Sequence, residues 1–477
     1  MSSVTSPRVG RWATLTTVSV TQLMVSLDAT IMAIAVPQAQ RDLGFSSANR
    51  QWLITAYVLA FGGLLFVGGR VGDRWGHRRT LMTGLVGFAL ASAVGGGAHS
   101  LGVLLSARAL QGAFGALCAP AALALVTLHF RSPQGRSRAF ALVGGVGASG
   151  AAIGLLLGAV LTQWGSWRWC LFVNVVLALV ALLGAFIVPN DDEHRERRGL
   201  DPAGAVLSTA GWFGVVYGLA HGVRSTWTDR GTWVPLVLGL GCEVLFVALE
   251  RGRRGALVPL HLVTARTRLG SLGALFLASA AFFGVSLFLA VYLQSTLGYT
   301  PIRTGVMFLP LIVAIAVSAS GASARLWSVV GPRPLIPVGM ILAVMASVLF
   351  TRLPATPNYW GSVFPGLVLM GLGLGLIVAP ASASATALLG GGEVGAASAL
   401  VNSAQQIGAS IGLALLNTIA VESTSRATGA GVGTGVATLH GYSVAFWWAA
   451  GLFALGALVS LALLESGTPI APAEAAA

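Results

Sequence analysis

The chain has 477 residues, 55% of them hydrophobic and only 9% charged, with a mean hydropathy of +0.82 and a formal charge of +13. This composition excludes a water-soluble enzyme or a nucleic-acid-binding domain, because repeated apolar runs of about 20 residues are the length at which a helix spans hydrocarbon. All 28 basic residues are arginine, and they cluster in short breaks between apolar runs, which assigns the charge to membrane orientation and not to a nucleic acid.

Backbone groups in lipid must bond within their own segment, and runs too long for barrel strands read as helices. The expected class is therefore an all-α membrane protein. Six spans are predicted at 12–36, 51–71, 80–98, 101–128, 139–162 and 169–188. The first follows Arg8 and Arg11, exceeds a signal-peptide core in length and lacks a small-residue cleavage pattern, so it reads as a retained helix. A charged break, PNDDEHRERRGLD at 189–201, precedes two further spans at 202–221 and 233–249. After the basic segment 251–268, six more spans are predicted at 270–293, 305–324, 335–351, 359–388, 395–420 and 441–464. With both termini cytoplasmic, 19 arginines fall on the inner side and eight on the outer, leaving Arg108 within a span. The domain reading is a bundle at 1–190, a linker with two inserted helices at 191–264, a second bundle at 265–465 and a disordered tail at 466–477.

Between the second and third spans, GGRVGDRWGHRRTL carries Gly69, Asp73, Arg74, Gly76 and Arg78 in the pattern G-x-x-x-D-R-x-G-x-R. This resembles the cytoplasmic loop between helices 2 and 3 of major facilitator superfamily transporters. His77 stands where that family usually has Arg or Lys, so part of the loop's charge can vary near neutral pH. A shift of 255 residues places Arg325, Gly331 and Arg333 over Arg70, Gly76 and Arg78, with Ser328 in place of Asp73. Duplicated six-helix halves are the rule in this superfamily. Two six-helix bundles with an inserted pair resemble its fourteen-helix drug:proton antiporters over essentially the whole chain.

Asp28 lies inside the first span, and a carboxylate there costs several kcal/mol unless paired, protonated or facing water. Its setting LDATIMAIAVP resembles the helix 1 signature of those antiporters, with Ala33 where they usually have asparagine. Arg108, Gln111 and Gly112 match the superfamily's R-x-x-Q-G pattern. Asp28 is about nine residues (~13 Å) and Arg108 about seven residues (~10 Å) from the outer ends of their helices, so the two sit at similar depth. Burial disfavours the charged carboxylate and a nearby guanidinium favours it, a competition through which Asp28 would carry the coupling proton and Arg108 tune it.

Gly147, Gly150, Gly154 and Gly158 recur on one face of the fifth span and suit close helix packing. The spacing resembles the glycine-proline motif of the superfamily's exporters, although Leu155 takes the proline position and Ala159 the last glycine. WRWCLFVN, from Trp167 to Asn174, resembles the family's junction between helices 5 and 6, with Trp167 and Trp169 in an interfacial belt.

Asn402, Gln405 and Gln406 share one helical face and either line the substrate path or bond between helices. Gln22, Trp52, Tyr57, Gln111, Phe282, Phe283, Tyr292 and Gln294 are further candidates for the path of an amphipathic organic solute. Glu243, within the eighth span, matches no family motif and is a weak candidate for a second proton site. No cofactor or metal is expected: lysine is absent, so no G-x-x-x-x-G-K-[ST] loop exists, and Cys118, Cys170 and Cys242 lie singly.

The resemblance implies a multi-pass transporter of the cell membrane, working as a monomer in the lipid bilayer. It would export a small organic substrate, a drug or secondary metabolite, against protons by alternating access. Transport of a specific metabolite or lipid in either direction, or a receptor or scaffold that has kept the fold, are the alternatives. Asp73 is placed to pair with Arg131, Arg136 or Arg138 in one conformation only. Asp73→Asn is therefore expected to slow transport while sparing the proton site; undiminished transport in vesicles would reduce the loop to a topological turn.

Overall fold

A computed structural model describes residues 7–46, 49–50, 52–130, 133–189, 202–221, 229–251, 264–319, 330–354, 356, 358–387 and 394–465. Among them all regular structure is helical. The first six helices are α1 (Pro7–Leu43), α2 (Trp52–Trp75), α3 (His77–Gly96), α4 (Leu101–His129), α5 (Pro133–Trp164) and α6 (Trp169–Ile187). Then come α7 (Pro202–His221), α8 (Arg230–Glu250) and α9 (Arg266–Val291), the last extended by a π-helical turn at Tyr292–Thr296. The remainder are α10 (Pro301–Met307), α11 (Leu309–Val317), α12 (Pro332–Phe350), α13 (Phe364–Thr386), α14 (Val394–Gly429) and α15 (Thr434–Leu463). Among the described residues ten helices are long and apolar enough to cross a membrane, or eleven when the bent helix α2 counts as one span. The apolar stretches Val206–Leu219 and Pro301–Val317 are shorter.

Several boundaries differ from the sequence expectation: α5 and α15 begin six and seven residues before the expected 139 and 441, and three other differences have a local cause. Helix α1 runs through Pro37 to Leu43, because a proline in a membrane helix interrupts one backbone bond without ending the helix. The span expected at 305–324 is instead two short helices that meet at Phe308, with Pro310 in the first turn of α11. Helix α14 continues past 420 to Gly429, where Arg426 pairs with Glu422 one turn earlier. The tail at 466–477, the charged break at 190–201 and the segment holding Arg325 and Ser328 lie outside the described residues.

Helix packing divides the chain into two compact units, one of Met1–Ala210 with Leu245–Leu257 and one of Gly211–Val244 with Val258–Ala477. Within the first, α1 packs on α4, α5 and α6, α2 on α4, and α3 on α4 and α6. Within the second, α9 packs on α13, α14 and α15, α11 on α13, and α12 on α13 and α15. Substituting α9, α11, α12, α13, α14 and α15 for α1 to α6 in order converts one pattern into the other. The duplication inferred from a short loop motif thus extends to the helix pairing of each unit.

Glycines fix the register of the repeat. Gly76, with φ of +93°, precedes α3, and Gly331, with φ of +75° and 255 residues later, precedes α12. Gly44 after α1 and Gly298 after α9 share a φ of +66°. On the packed faces, a Cβ on Gly84 would come within 3.0 Å of the Phe114 carbonyl, and one on Gly339 within 2.6 Å of the Gly373 carbonyl. The interior therefore tolerates no side chain at the same register of α3 and α12, as expected where membrane helices approach backbone to backbone. Gly76→Ala and Gly331→Ala are each expected to cost about 1–3 kcal/mol, because an L-residue is strained in either conformation. Thermal melting in detergent checks this, with Gly102→Ala as the control at a site where nothing lies within 4 Å.

Candidate functional site

The two intramembrane charges singled out by sequence meet. Asp28 on α1 and Arg108 on α4 are both 0% exposed, and Arg108 Nη1 donates to Asp28 Oδ2 at 2.7 Å. The pair is set within a polar knot. Asn174 Nδ2 on α6 donates to Asp28 Oδ1 at 2.6 Å, and Gln111 Nε2 reaches the same oxygen at 3.3 Å. Gln111 Nε2 also donates to Ser92 Oγ on α3 at 2.7 Å, while Gln111 Oε1 accepts from Arg108 Nη1 at 2.9 Å. On α2, the Leu53 carbonyl accepts from Arg108 Nε at 3.0 Å, and the Tyr57 ring lies 4.5 Å below the guanidinium carbon. Five helices thus contribute to one solvent-free cluster, so every partner is needed to offset the desolvation of the ions. Arg108 Nη2 and Asn174 Oδ1 have no hydrogen-bond partner among the described residues, which leaves the guanidinium a further donor and the amide a further acceptor.

Helix α1 reaches this cluster along the glycine face of α5. A Cβ on Gly150 would meet the Leu23 carbonyl at 3.1 Å, one on Gly154 the Leu27 carbonyl at 2.8 Å, and one on Gly158 the Ile31 carbonyl at 2.9 Å. These three glycines let α1 lie directly on the α5 backbone and so set the rotation that points Asp28 at α4; the surroundings of Gly147, one turn earlier in α5, lie outside the described residues. In the second unit Gly408 and Gly412 of α14 meet the Phe276 and Ala280 carbonyls of α9 in the same way.

The loop motif sits at one end of the first unit. Arg78 donates through Nε to the Ala185 carbonyl at 2.9 Å and through Nη2 to the Phe186 carbonyl at 2.8 Å. A guanidinium there neutralises the carbonyl end of α6. Asp73 Oδ1 lies 3.7 Å from His77 Nε2, and Arg74 is exposed. Arg131 and the side chains of Arg136 and Arg138, the expected partners of Asp73, lie outside the described residues. At the opposite end of α1, Asp42 accepts from Trp167 Nε1 at 2.9 Å and Arg168 Nη2 at 3.0 Å, and Gln38 Oε1 accepts from the Trp167 backbone at 2.9 Å. The fully buried Trp167 is therefore a clasp between α1 and the junction of α5 with α6, not a residue of an interfacial belt; Trp169 is exposed.

The remaining candidates are dispersed. Tyr57 and Gln111, expected along a substrate path, are fully buried within the knot. Tyr292 is also buried, and its hydroxyl donates to the Pro354 carbonyl at 2.6 Å. Gln22, half-buried, donates to Ser26 Oγ at 3.3 Å, and Phe282 and Phe283 pack edge to face at 5.8 Å. Trp52, Gln294, Asn402, Gln405 and Gln406 are half-buried. A Cβ on Gly69 of α2 would lie 3.8 Å from Pro120 Cβ of α4, an ordinary contact.

Sequence reasoning did not single out Asn174 and Ser92. Asn174 was legible in principle as the one amide in WCLFVNVVLALVALLGAFI, where a polar side chain in a span is expected to have a partner. Ser92 carried no signal. Replacing Arg108 by methionine leaves Asp28 an uncompensated buried charge and is expected to lower stability by about 3–5 kcal/mol. Adding Asp28→Asn should restore most of that loss in a thermal-melting cycle; additive losses would mean the pair is not the source of the cost.

Comparison with known proteins agrees with this architecture. The family model described as Major Facilitator Superfamily matches residues 18–413. The chain is 45% identical to the puromycin resistance protein pur8 of Streptomyces alboniger over 473 residues, covering 98% of this chain and 93% of that one. It is 34% identical to the cephamycin export protein CmcT of Amycolatopsis lactamdurans, covering 88% and 87%. Among solved structures, the POT family transporter PepTSo superimposes with a TM-score of 0.66 at 14% identity, covering 96% of this chain and 99% of that one, a likeness of fold alone. With the family model matched over most of its length and the helix pattern of one unit repeated in the other, the chain belongs to the major facilitator superfamily of multi-pass membrane transporters.

Proposed function

We propose that this transporter exports an antibiotic or related organic compound in exchange for protons, in the manner of the fourteen-helix drug:proton antiporters. The names of its relatives support export, since a puromycin resistance protein matches nearly end to end. The fourteen-span topology with cytoplasmic termini is part of the proposal; α2, α5, α7 and the α10–α11 pair, added to the ten long apolar helices, give that number. The excess of arginine in the loops assigned to the inner side supports the orientation.

One observation carries the coupling: a carboxylate with no access to water is held by a guanidinium that has other partners of its own. When a proton neutralises Asp28, its attraction for Arg108 falls, but Arg108 keeps the Leu53 carbonyl, the Gln111 amide and the Tyr57 ring. Those groups belong to α2 and α4, whereas Asp28 belongs to α1, which is bound to α5 through the glycine face. Protonation therefore loosens α1 and α5 from α2 and α4, and leaves Arg108 a buried cation with neutral partners alone, which favours a packing that admits water to it. Deprotonation draws them together again. A proton thus changes the relative stability of two packings, which is the differential affinity that alternating access requires.

The organic cargo undergoes no covalent change, and the gradient supplies the work. Asp28→Asn keeps an acceptor for Arg108 and Asn174 but removes the titratable group. It is expected to abolish drug accumulation driven by a pH gradient in everted vesicles while preserving substrate counterflow. Full proton-driven export by this variant would overturn the assignment of Asp28.

A further inference from the structure

The inserted helices α7 and α8 form an antiparallel hairpin along a glycine seam. A Cβ on Gly214 would come within 2.7 Å of the Pro235 carbonyl, and one on Gly218 within 2.8 Å of the Thr232 carbonyl. Further along, the neighbour of Gly211 is the Glu243 side chain, whose Cγ and carboxyl carbon each lie 2.9 Å from where a Cβ would stand. The rest of α8 is largely apolar and exposed, with Val237, Leu238, Leu240 and Val244 each more than half exposed. Glu243 is thus half-buried and folded over Gly211 of α7, which has no side chain to exclude it.

Among the described residues no counter-charge pairs with it. Glu243 Oε1 is buried and lacks a hydrogen-bond partner among the described residues. The ionisable groups of α7 are Tyr217 and His221, more than a turn away along the helix, and His221 pairs with Asp229 at 3.2 Å. Those of α8 are Arg230, Cys242 and Glu250. Within the first unit Thr209 of α7 donates to the Gly63 carbonyl of α2 at 3.0 Å, and within the second Thr418 of α14 donates to the Leu219 carbonyl at 3.0 Å. The ionisable groups of α2 are Tyr57, Arg70, Asp73 and Arg74, and those of α14 are Glu422 and Arg426. None of them forms an ion pair with Glu243 among the described residues. Seven residues separate Glu243 from the end of α8 at Glu250, a depth of ~10 Å, beyond the reach of its side chain.

A half-buried carboxyl with one oxygen out of solvent, the Trp212 backbone as its hydrogen-bond donor and no cation paired with it among the described residues is not a structural ion pair, and it is too deep to snorkel to the headgroups. We infer that Glu243 is a second proton-binding site, distinct from Asp28, which holds a proton while the α7–α8 seam is closed over Gly211 and yields it when the seam opens to water. The inserted hairpin is then a titrating element and not only two extra spans. This inference stands apart from the role given to Asp28, since the two acids share no partner.

Modification of the full-length protein in liposomes by a hydrophobic carbodiimide, which attacks protonated carboxyls in apolar surroundings, tests it by mass spectrometry. The adduct is expected on Glu243 in the wild type and equally in Asp28→Asn, declining as pH rises. Glu243→Gln, which preserves shape, should remove the adduct and lower the protons taken up per molecule in a pH-jump titration by one. Gly211→Leu should displace the carboxyl from the seam and shift the pH at which the adduct is lost. An unreactive Glu243 in folded protein, or a proton count unchanged in Glu243→Gln, would overturn the inference whatever the Asp28 variant does.

Discussion

The guanidinium of Arg108 is sealed from solvent within α4, and α4 itself offers it only the Gln111 amide. The remaining neutralisation has to come from neighbouring helices: the Asp28 carboxylate from α1, the Leu53 carbonyl and the Tyr57 ring from α2. Ser92 and Asn174 then anchor Gln111 and Asp28 to α3 and α6. Burying an ion pair is not in itself a source of stability, because desolvation consumes most of the Coulombic gain. What the cluster provides is specificity, since any other rotation of α1 or α4 would leave a charge unpaired in hydrocarbon.

Such a cluster forms only if the helices come close enough, and glycine allows that. Where lipid tails are as apolar as side chains, close backbone approach and hydrogen bonding take over from the hydrophobic effect as the force that joins helices. The α1–α5 and α9–α14 contacts are built on glycine faces of α5 and α14. Those of α2 with α4 and α11 with α13 use Gly112 and Gly371 against the Tyr57 and Leu311 carbonyls. The same solution in both units shows that the duplicated feature is a packing frame and not a chemical site.

Chemistry was added to one copy of that frame. Ser92 and Ser347, 255 residues apart, are both fully buried and both bond the carbonyl four residues back, at 2.7 and 2.9 Å. Yet the repeat position of Asp28 falls at Phe282 and Phe283, and that of Arg108 in the apolar stretch Val363–Leu367. Asp73 likewise aligns with Ser328. Among the described residues the fully buried ion pair of the frame lies in the first unit alone, so the two copies share their packing but not their charge.

Composition and periodicity determined the membrane class, the all-helical fold, the 255-residue repeat and the two intramembrane charges, because these depend on residue type and on rise per residue along a helix axis. Matching depth even brought Asp28 and Arg108 level. Tertiary structure alone decided rotation about those axes. It turned Tyr57 and Gln111 into the knot, brought in Asn174 from α6, and drew Trp167 from the interface into a buried clasp with Asp42. It also carried α1 past Pro37 and broke the helix at Phe308, since whether a proline bends, ends or merely interrupts a helix depends on what packs around the freed carbonyl. A linear sequence encodes how deep a side chain lies; which neighbour it faces is set only once the helices have packed.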